Sequence, residues 1–317
     1  MSRSYMGRTL IIVNPKAQSG AAAAAAERLQ RFLSLYLHNQ GFDVAMTEYP
    51  RHATEIAAHA AGYDCVLALG GDGVIHEVAS GLMGIAAEAR PVLGVVPVGS
   101  GNDFARTLGL NDSSGKDFAY LTQCEARTCD IVRITHDNGD TEYSIQTFSF
   151  GLDAAVGLGT HDLRYTTGLT GAPLYMASAA RAFGRDYRNF GVRAVFDAEP
   201  ALDLATVTFA VQNGPTYGSG FRICPDADPA DGLMDICYTQ GPAPRSVAVP
   251  VFLSAKNGHH VRSRYTHLRR AKRVELTFAE PDFPIQADGE RVEGEHLVLE
   301  CIPHALRVLF PAHPERG

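Results

Sequence analysis

Three glycine-rich segments in the first third of this 317-residue sequence are the clearest candidates for chemistry. They are Asn14-Pro15-Lys16-Ala17-Gln18-Ser19-Gly20, Gly70-Gly71-Asp72-Gly73 and Pro97-Val98-Gly99-Ser100-Gly101-Asn102-Asp103. Each follows an apolar run and precedes a predicted helix. Glycine lets the backbone turn its N–H groups toward an anion, and the positive end of a following helix adds to the attraction. Three such loops at successive strand ends predict a phosphate-binding site.

Asp72 is the unusual residue among these loops, because a carboxylate beside phosphate-binding N–H groups repels the phosphate unless a cation lies between them. That arrangement favours a Mg²⁺ ion at a bound nucleotide. An aspartate at such a turn is equally typical of a residue that caps the next helix. The residues alone leave both interpretations open.

Common nucleotide and hydrolase motifs do not match the sequence. Gly115-Lys116 lacks the remaining Walker A residues, and Gly99-Ser100-Gly101 is followed by Phe104 where a dinucleotide fingerprint needs glycine or alanine. A Gly-x-Ser-x-Gly nucleophile elbow is also missing from the sequence. The loops therefore predict a phosphate site of another kind.

The elements that position the loops alternate between strand and helix. The predicted strands are Thr9–Val13, Phe42–Thr47, Cys65–Leu69 and Val92–Val96, and the predicted helices are Ala21–Leu37, Ala53–Ala61, Ile75–Leu82 and Asp103–Leu108. Strands separated by helices of this length predict a parallel sheet with right-handed crossovers. Ligands of such sheets bind beyond the carboxyl ends of the strands.

From about residue 131 the pattern changes to strand-like runs separated by turn residues, which predicts an antiparallel β domain. The runs are Glu142–Phe150, Val192–Phe196, Ala205–Val211, Met234–Tyr238, Arg273–Phe278 and Leu297–Cys301, with one amphipathic helix at Leu174–Ala182. The predicted fold class is α/β with two domains. Residues 1–130 form the nucleotide-binding domain, to which 304–317 return, and residues 131–303 form the β-rich domain.

The amino-acid composition limits the classes of protein to which this chain can belong. Hydrophobic residues make up 45% and charged residues 20%, as in folded globular chains. The net charge of −7 argues against nucleic acid as a partner. Mean hydropathy is −0.07, and no apolar run approaches the ~20 residues that span a bilayer. We therefore expect a cytoplasmic protein whose six cysteines are reduced.

The motifs, taken in order, resemble the diacylglycerol kinase catalytic family, which includes sphingosine, ceramide and bacterial phosphatidylglycerol-type lipid kinases. The matching segments are Val13-Asn14-Pro15 with Ser19-Gly20, Gly70 to Gly73 with Glu77, Pro97 to Arg106, Gly151-Leu152-Asp153-Ala154, Asp226 to Leu233, and Asp288-Gly289-Glu290. The resemblance covers essentially the whole chain. It implies a first domain similar to that of NAD kinases, a β-sandwich second domain, and a lipid kinase that uses ATP and Mg²⁺.

The resemblance also implies the roles of individual residues. The implied nucleotide-binding residues are Asn14, Pro15, Lys16, Ser19, Gly20, Thr47, Gly70, Gly71, Asp72, Gly73, His76, Glu77, Gly99, Ser100, Gly101, Asn102 and Asp103. The implied catalytic residues are Glu290, as general base, and Asp72. A structural Mg²⁺ is implied at Asp228, Asp231 and Leu233, through the Asp231 carboxylate and the backbone carbonyls of the other two. From the residues alone, Asp231 is more typical of a plain turn, and Glu290 is more typical of a solvated surface; only the resemblance reverses both preferences.

Two positions depart from the family pattern. Val74 stands where the family usually has threonine, and His76 where it has asparagine. Valine cannot donate a hydrogen bond to a phosphate, and histidine adds a charge that depends on pH. Both residues could instead face the helix core or the solvent.

A lipid kinase of this kind meets its lipid substrate at a membrane, so the implied partners are a lipid and, transiently, the inner face of the membrane. Residues 262–273 contain Arg264, Arg269, Arg270 and Lys272, which either attract anionic headgroups or form a solvated edge. Residues 165–175 either form the lip of an acyl-chain pocket or pack in the core. The identity of the lipid and a possible homodimer stay open, as do an NAD kinase-like activity and a non-catalytic sensor of nucleotide or lipid.

Overall fold

The computed structural model describes residues 6–36, 41–111, 114–185, 187–280 and 283–312. Within it the chain forms two compact units. Unit 1 comprises Met1–Cys129 and His304–Gly317, and unit 2 comprises Asp130–Pro303. The chain passes between the units inside two long strands, Cys124–His136 and His296–Pro311.

The strands are β1 (Thr9–Val13), β2 (Phe42–Met46), β3 (Cys65–Gly70), β4 (Val92–Pro97), β5 (Cys124–His136), β6 (Thr141–Ser144), β7 (Thr147–Gly151), β8 (Phe190–Phe196), β9 (Leu202–Gln212), β10 (Met234–Gln240), β11 (Thr266–Ala271), β12 (Arg273–Phe278), β13 (Ile285–Ala287), β14 (Glu290–Arg291) and β15 (His296–Pro311). The α-helices are α1 (Ala21–Tyr36), α2 (His52–Ala58), α3 (Asp72–Met83), α4 (Asp103–Thr107), α5 (Leu152–Thr167), α6 (Gly171–Arg185) and α7 (Arg245–Ser254).

Unit 1 is a parallel sheet in the order β2-β1-β3-β4, with the end of β15 pairing in parallel with β4 at Val308 and Leu93. Every residue of β1, β3 and β4 is buried, as expected for central strands covered on both faces. Helix α1 buries one face through Ala22, Ala25, Leu29 and Leu33, because these residues recur every three or four positions. The sheet therefore holds its strand ends in fixed register.

Unit 2 is antiparallel, with β7, β8 and β10 pairing with β9, and β12 pairing with β8 and β15. Its core is rich in aromatic side chains. Among them are Phe148, Phe150, Phe190, Phe196 and Phe209. The fold class predicted from the sequence, a parallel α/β unit followed by an antiparallel β unit, is confirmed.

Two sequence-based element predictions differ from the structure. The run Glu142–Phe150 forms two strands instead of one, because the Asp288 carboxylate accepts hydrogen bonds from the backbone N–H groups of residues 145–147. The described residues of unit 2 also form three α-helices where the sequence predicted one. Helix α7 was missed because it is apolar around its whole circumference and so has no helical periodicity.

Candidate active site

The carboxyl ends of four neighbouring strands in unit 1 carry the loops predicted to bind nucleotide. The amide of Thr47, after β2, donates to the carbonyl of Val13 at 2.8 Å. The amide of Asn14, after β1, donates to the carbonyl of Leu69 at 3.3 Å. Since Val98 after β4 likewise donates to Gly70 at 2.7 Å, the structure brings all three glycine loops and Thr47 to one edge of the sheet.

Two of the loops pack backbone against backbone. A Cβ atom placed on Gly99 would lie 2.4 Å from the Cα atom of Gly71. A Cβ atom on Gly101 would lie 2.6 Å from an oxygen of the Asp72 carboxylate. These glycines are needed for contact between the loops, whatever ligand the loops bind.

Gly20 and Gly73 are different, since a Cβ atom on either would meet no heavy atom within 4 Å. Gly73 lies in the first turn of α3, and the backbone N–H groups at such a helix end are directed outward. An open approach to the amino end of a twelve-residue helix suits a phosphate. The residues present at this edge therefore fit the phosphates of a nucleotide.

The N-cap residue of α3 is Gly71, and Asp72 is the first residue of the helix. One Asp72 oxygen accepts a hydrogen bond from the backbone N–H of Phe104 at 3.2 Å, in the first turn of α4. The carboxylate thus connects the starts of two helices at the edge of the sheet that carries the glycine loops. Within the described residues, no group of three or more His, Cys, Asp or Glu side chains is arranged to hold a metal.

Asn102 and Asp103 shape the third loop. The Asn102 side chain, at φ 54°, accepts from the Gly99 N–H at 2.9 Å and donates to the Gly99 carbonyl at 3.1 Å. The Asp103 carboxylate pairs with Arg106 at 3.1 Å, and Arg106 also donates to the Gly101 carbonyl. Both predicted nucleotide-binding residues are buried and hold the loop in its conformation.

The α3 side chains predicted to lie near the nucleotide divide by role. Glu77 accepts hydrogen bonds from the backbone N–H groups of Arg51 at 3.2 Å and Ala53 at 3.0 Å, at the start of α2. Val74 is buried against Gly70, so it faces the helix core rather than the solvent. His76 is half-buried on the same helix.

The first loop is partly exposed. The Lys16 side chain is in solvent, and its backbone N–H donates to the Asn14 side chain at 3.0 Å. Pro15 is half-buried. The side chain of Ser19 lies outside what the structure describes.

In unit 2, Glu290 follows a tight hairpin turn between β13 and β14. Asp288 and Gly289 form the turn at φ 50° and 96°, and Glu290 is exposed after it. The Asp288 carboxylate accepts from the Ser144 hydroxyl at 3.1 Å and from three successive backbone N–H groups, of residues 145–147, at 2.8 to 3.0 Å. A solvent-facing carboxylate on a firmly held turn is suited to accept a proton.

The predicted metal turn carries a surplus of negative charge. Asp228 accepts from the backbone N–H of Ala230 at 3.0 Å, and Asp231 accepts from that of Leu233 at 3.1 Å. Arg270 pairs with Asp231, and at 3.4 Å with Asp235. Burial, followed by the charges of Asp226 and Asp228, raises the pKa of Asp235 to about 6, and one oxygen of Asp235 has no hydrogen-bond partner.

The oxygen donors of this turn fit a hard cation such as Mg²⁺. The Arg270 guanidinium, however, already contacts the carboxylate that the sequence assigned to the metal. A cation on Asp231 would therefore compete with Arg270.

A cavity lies in unit 2, with about 690 Å³ of space free of protein atoms, its open mouth included. Apolar side chains of α5, α6, α7, β9 and β10 form most of its lining. They include Leu152, Phe183, Val207, Ala210, Val247, Val251 and Phe252. The mostly apolar lining is typical of sites for small apolar ligands.

The cavity also has polar residues, among them Asp153, His260 and Thr266. One oxygen of Asp153, Nδ1 of His260 and Oγ1 of Thr266 have no hydrogen-bond partner. Burial raises the pKa of Asp153 to about 7, against the opposing effect of a hydrogen bond from Ser149. Burial lowers the pKa of His260, so its imidazole is neutral. No role for Asp153 could be predicted from the sequence, because its surroundings come from distant segments.

Comparison with known proteins shows which protein family this chain resembles. The model of the diacylglycerol kinase catalytic domain matches residues 8–134, and that of the YegS C-terminal NAD kinase beta sandwich-like domain matches residues 146–310. A diacylglycerol kinase of Mycobacterium tuberculosis (strain ATCC 25618 / H37Rv) is 32% identical over 322 residues, covering 99% of this chain and 98% of the relative. A probable lipid kinase YegS-like of Yersinia pestis (strain Pestoides F) is 28% identical, covering 96% and 98%.

Among solved structures, a diacylglycerol kinase from Bacillus anthracis str. Sterne superposes with a TM-score of 0.77 at 20% identity, covering 96% of this chain and 97% of that one. This likeness supports the fold. Across the described residues, no helix combines the length and the apolar character needed to cross a membrane.

Proposed function

Because this chain belongs to the diacylglycerol kinase catalytic-domain family and is a lipid kinase, we propose that it transfers the γ-phosphoryl group of ATP to a hydroxyl of a diacylglycerol-like or sphingoid lipid. The observation that carries this proposal is the meeting of three glycine loops at one edge of the unit 1 sheet, with the amino end of α3 open beside them. A triphosphate needs several N–H donors at one place, and this edge provides them.

In the proposed reaction the lipid hydroxyl oxygen attacks the γ-phosphorus, and the bond from that phosphorus to the β,γ-bridging oxygen breaks. ADP leaves with the bridging oxygen. The hydroxyl proton passes to the Glu290 carboxylate, the proposed general base. The Asp288 hydrogen bonds support this role, because they fix the turn from which Glu290 extends.

We propose Mg²⁺ in two places. At the nucleotide, the ion would be organised by Asp72 and would neutralise charge on the phosphates. At the acidic turn of unit 2, it would bind the Asp231 carboxylate and the backbone carbonyls of Asp228 and Leu233. The surplus negative charge around Asp235 supports the second site, and the contact of Arg270 with Asp231 opposes it.

The cavity of unit 2 supports a lipid as the acceptor. Its lining is mostly apolar. In the segment 165–175, Leu174 and Tyr175 are buried in the core, as the core-packing interpretation expects, whereas Leu169 is exposed. We therefore propose that the cavity holds the acyl chain of the substrate.

Helix α7 is the proposed contact with the membrane. One side of it lines the cavity through Val247 and Val251, while Val249 and Leu253 are 37% and 47% exposed. A helix that is apolar on its outer side suits the interface of a bilayer. The basic segment contributes less than its composition suggests, because Arg269 pairs with Glu199 at 2.6 Å and Arg270 with Asp231.

The decisive experiment is phosphate transfer from labelled ATP to a panel of diacylglycerol, ceramide, sphingosine and phosphatidylglycerol, with NAD as a further acceptor. Glu290→Gln should lower kcat by about 10²- to 10⁴-fold and leave ATP binding unchanged, because the amide cannot accept the proton. Glu293→Gln, at an exposed glutamate three residues away, is the matched control and should retain activity.

Near-full activity of Glu290→Gln would remove the general-base assignment. Transfer to NAD alone would replace the lipid with a nucleotide as the substrate. The same assay in EDTA measures the need for Mg²⁺. Unchanged vesicle binding after Val249→Ser with Leu253→Ser would refute the membrane role of α7.

A further inference from the structure

Asp153 is a buried acid in an apolar cavity, and the proposed reaction gives it no task. It lies near the start of α5, is 6% exposed, and lines the cavity. One of its oxygens has no hydrogen-bond partner. A buried polar atom without a partner is destabilising, and a bound ligand that pairs with it would remove this cost.

Hydrogen bonds connect Ser149, which neighbours Asp153, to the turn that precedes Glu290. The Gly289 N–H donates to the Gln286 side chain at 2.7 Å, and the Gln286 amide donates to the Ser149 hydroxyl at 2.7 Å. Ser149 in turn lowers the pKa of the Asp153 carboxyl, against the larger effect of burial. Ser149 and Gln286 are buried, so water does not compete with these bonds.

We propose that Asp153 binds an ester carbonyl of the lipid whose chain fills the cavity, and that Ser149 and Gln286 transmit this contact to the turn carrying Glu290. This inference rests on the proposed function and specifies its substrate class as acyl-ester lipids. Asp153 is thereby a residue that determines specificity, while Ser149 and Gln286 position the catalytic turn.

The chemistry of the cavity favours a carbonyl over an ammonium group. An acid in apolar surroundings retains its proton, and a protonated carboxyl donates a hydrogen bond that a carbonyl oxygen accepts. The pKa of Asp153, raised by burial to about 7, agrees with this state. The ammonium group of a sphingoid lipid would instead bind best to the ionised carboxylate of Asp153.

The groups around Asp153 do not supply a charge that would reverse this preference. The other titratable side chains lining the cavity in the described part of the chain are Tyr217, Cys237, His260 and Tyr265, and no Lys, Arg or Glu lines it. Burial raises the pKa of Cys237 to about 12 and lowers that of His260, so both are neutral at pH 7.

The test compares two soluble substrates that differ only in the carbonyls, 1,2-dioctanoylglycerol and its diether analogue 1,2-dioctylglycerol. The wild-type protein should favour the ester by about tenfold in kcat/KM, as expected for one buried hydrogen bond. Asp153→Ala should lose this preference. Asp153→Asn should keep it, because the side-chain amide can still donate.

Dependence on pH provides a second readout. Between pH 6 and pH 8.5 the preference of the wild-type protein for the ester should fall as Asp153 loses its proton. Asp153→Asn should show a constant preference over this range. If Asp153 were purely structural, its substitution would change neither the preference for the ester nor the dependence of that preference on pH.

The connection to the turn is tested by Ser149→Ala, which should lower kcat at least fivefold with little change in the KM for the ester. Ser178→Ala is the matched control, because Ser178 is a buried serine of unit 2 that bonds the Val156 carbonyl instead. Equal effects of the two substitutions would refute the connection.

An ester preference that is the same in Asp153→Ala and wild type would overturn the inference, while leaving the lipid kinase intact. Binding of 1,2-dioctanoylglycerol, measured by calorimetry, shows whether each variant still folds and takes up lipid. A wild-type protein that phosphorylates neither glycerolipid nor any lipid of the panel would instead overturn the proposed function.

Discussion

At the scale of single residues, the glycines in the loops at the edge of the unit 1 sheet fall into two structural classes. Gly71 and Gly99 are required because their backbones touch, whereas Gly73 has open space where a side chain would be. We therefore expect Gly99→Ala to destabilise the protein by about 1–3 kcal/mol through overpacking. Gly73→Ala should stabilise α3 by about 0.5–1 kcal/mol and yet raise the KM for ATP, because its methyl group occupies the approach to the helix end.

Thermal unfolding and steady-state kinetics of the two variants check this expectation. If Gly73→Ala bound ATP as wild type does, the phosphates would not approach α3 from this side. If Gly99→Ala were as stable as wild type, the contact between the two loops would be looser than described.

At the scale of elements, one carboxylate holds the hairpin that carries Glu290, the proposed general base. Asp288 accepts four hydrogen bonds from residues 144–147, three of them from backbone N–H groups of buried residues. Asp288→Ala leaves those donors without a partner, which should cost about 2–3 kcal/mol and lower kcat at least tenfold. Asp288→Asn should be milder, because asparagine tolerates the positive φ and retains one acceptor oxygen.

Urea unfolding together with kcat measures both effects. Asp140→Ala, at an exposed aspartate of the β5–β6 turn, serves as the control and should behave as wild type. Loss of stability in Asp288→Ala without loss of kcat would mean that the hairpin does not need this anchor for catalysis.

At the scale of the whole molecule, stability should depend on pH through Asp153. Its pKa rises from 3.8 in the unfolded chain to about 7 in the folded protein, so the folded state holds the proton more tightly. The resulting stabilisation is full below about pH 4 and is lost as the pH rises through about 7. At about 1.4 kcal/mol per pKa unit, the loss is at most about 4 kcal/mol.

Asp153→Asn cannot ionise, so at pH 8 it should be more stable than wild type, while the two should be similar at about pH 4, where wild type retains the full stabilisation. The free energy of unfolding at both values checks this. A difference between the two proteins that is equal at about pH 4 and pH 8 would show that Asp153 is not buried in its acidic form.

Local patterns in the amino-acid sequence were enough to predict the fold class, the parallel strand ends and the family. Those features depend on local patterns such as the apolar runs of β1, β3 and β4, and on glycine loops that directly follow them. The same information predicted which loops meet, because neighbouring parallel strands end at one edge.

The surroundings of each side chain, by contrast, depend on how the chain folds in three dimensions. Val74 faces the core, Glu77 caps α2, Arg270 contacts Asp231, and Asp153 lies in a cavity. The partners in such contacts come from segments far apart in the chain, as with Gln286 and Ser149. Burial and hydrogen bonding are properties of assembled neighbours, so no spacing rule along one segment could have supplied them.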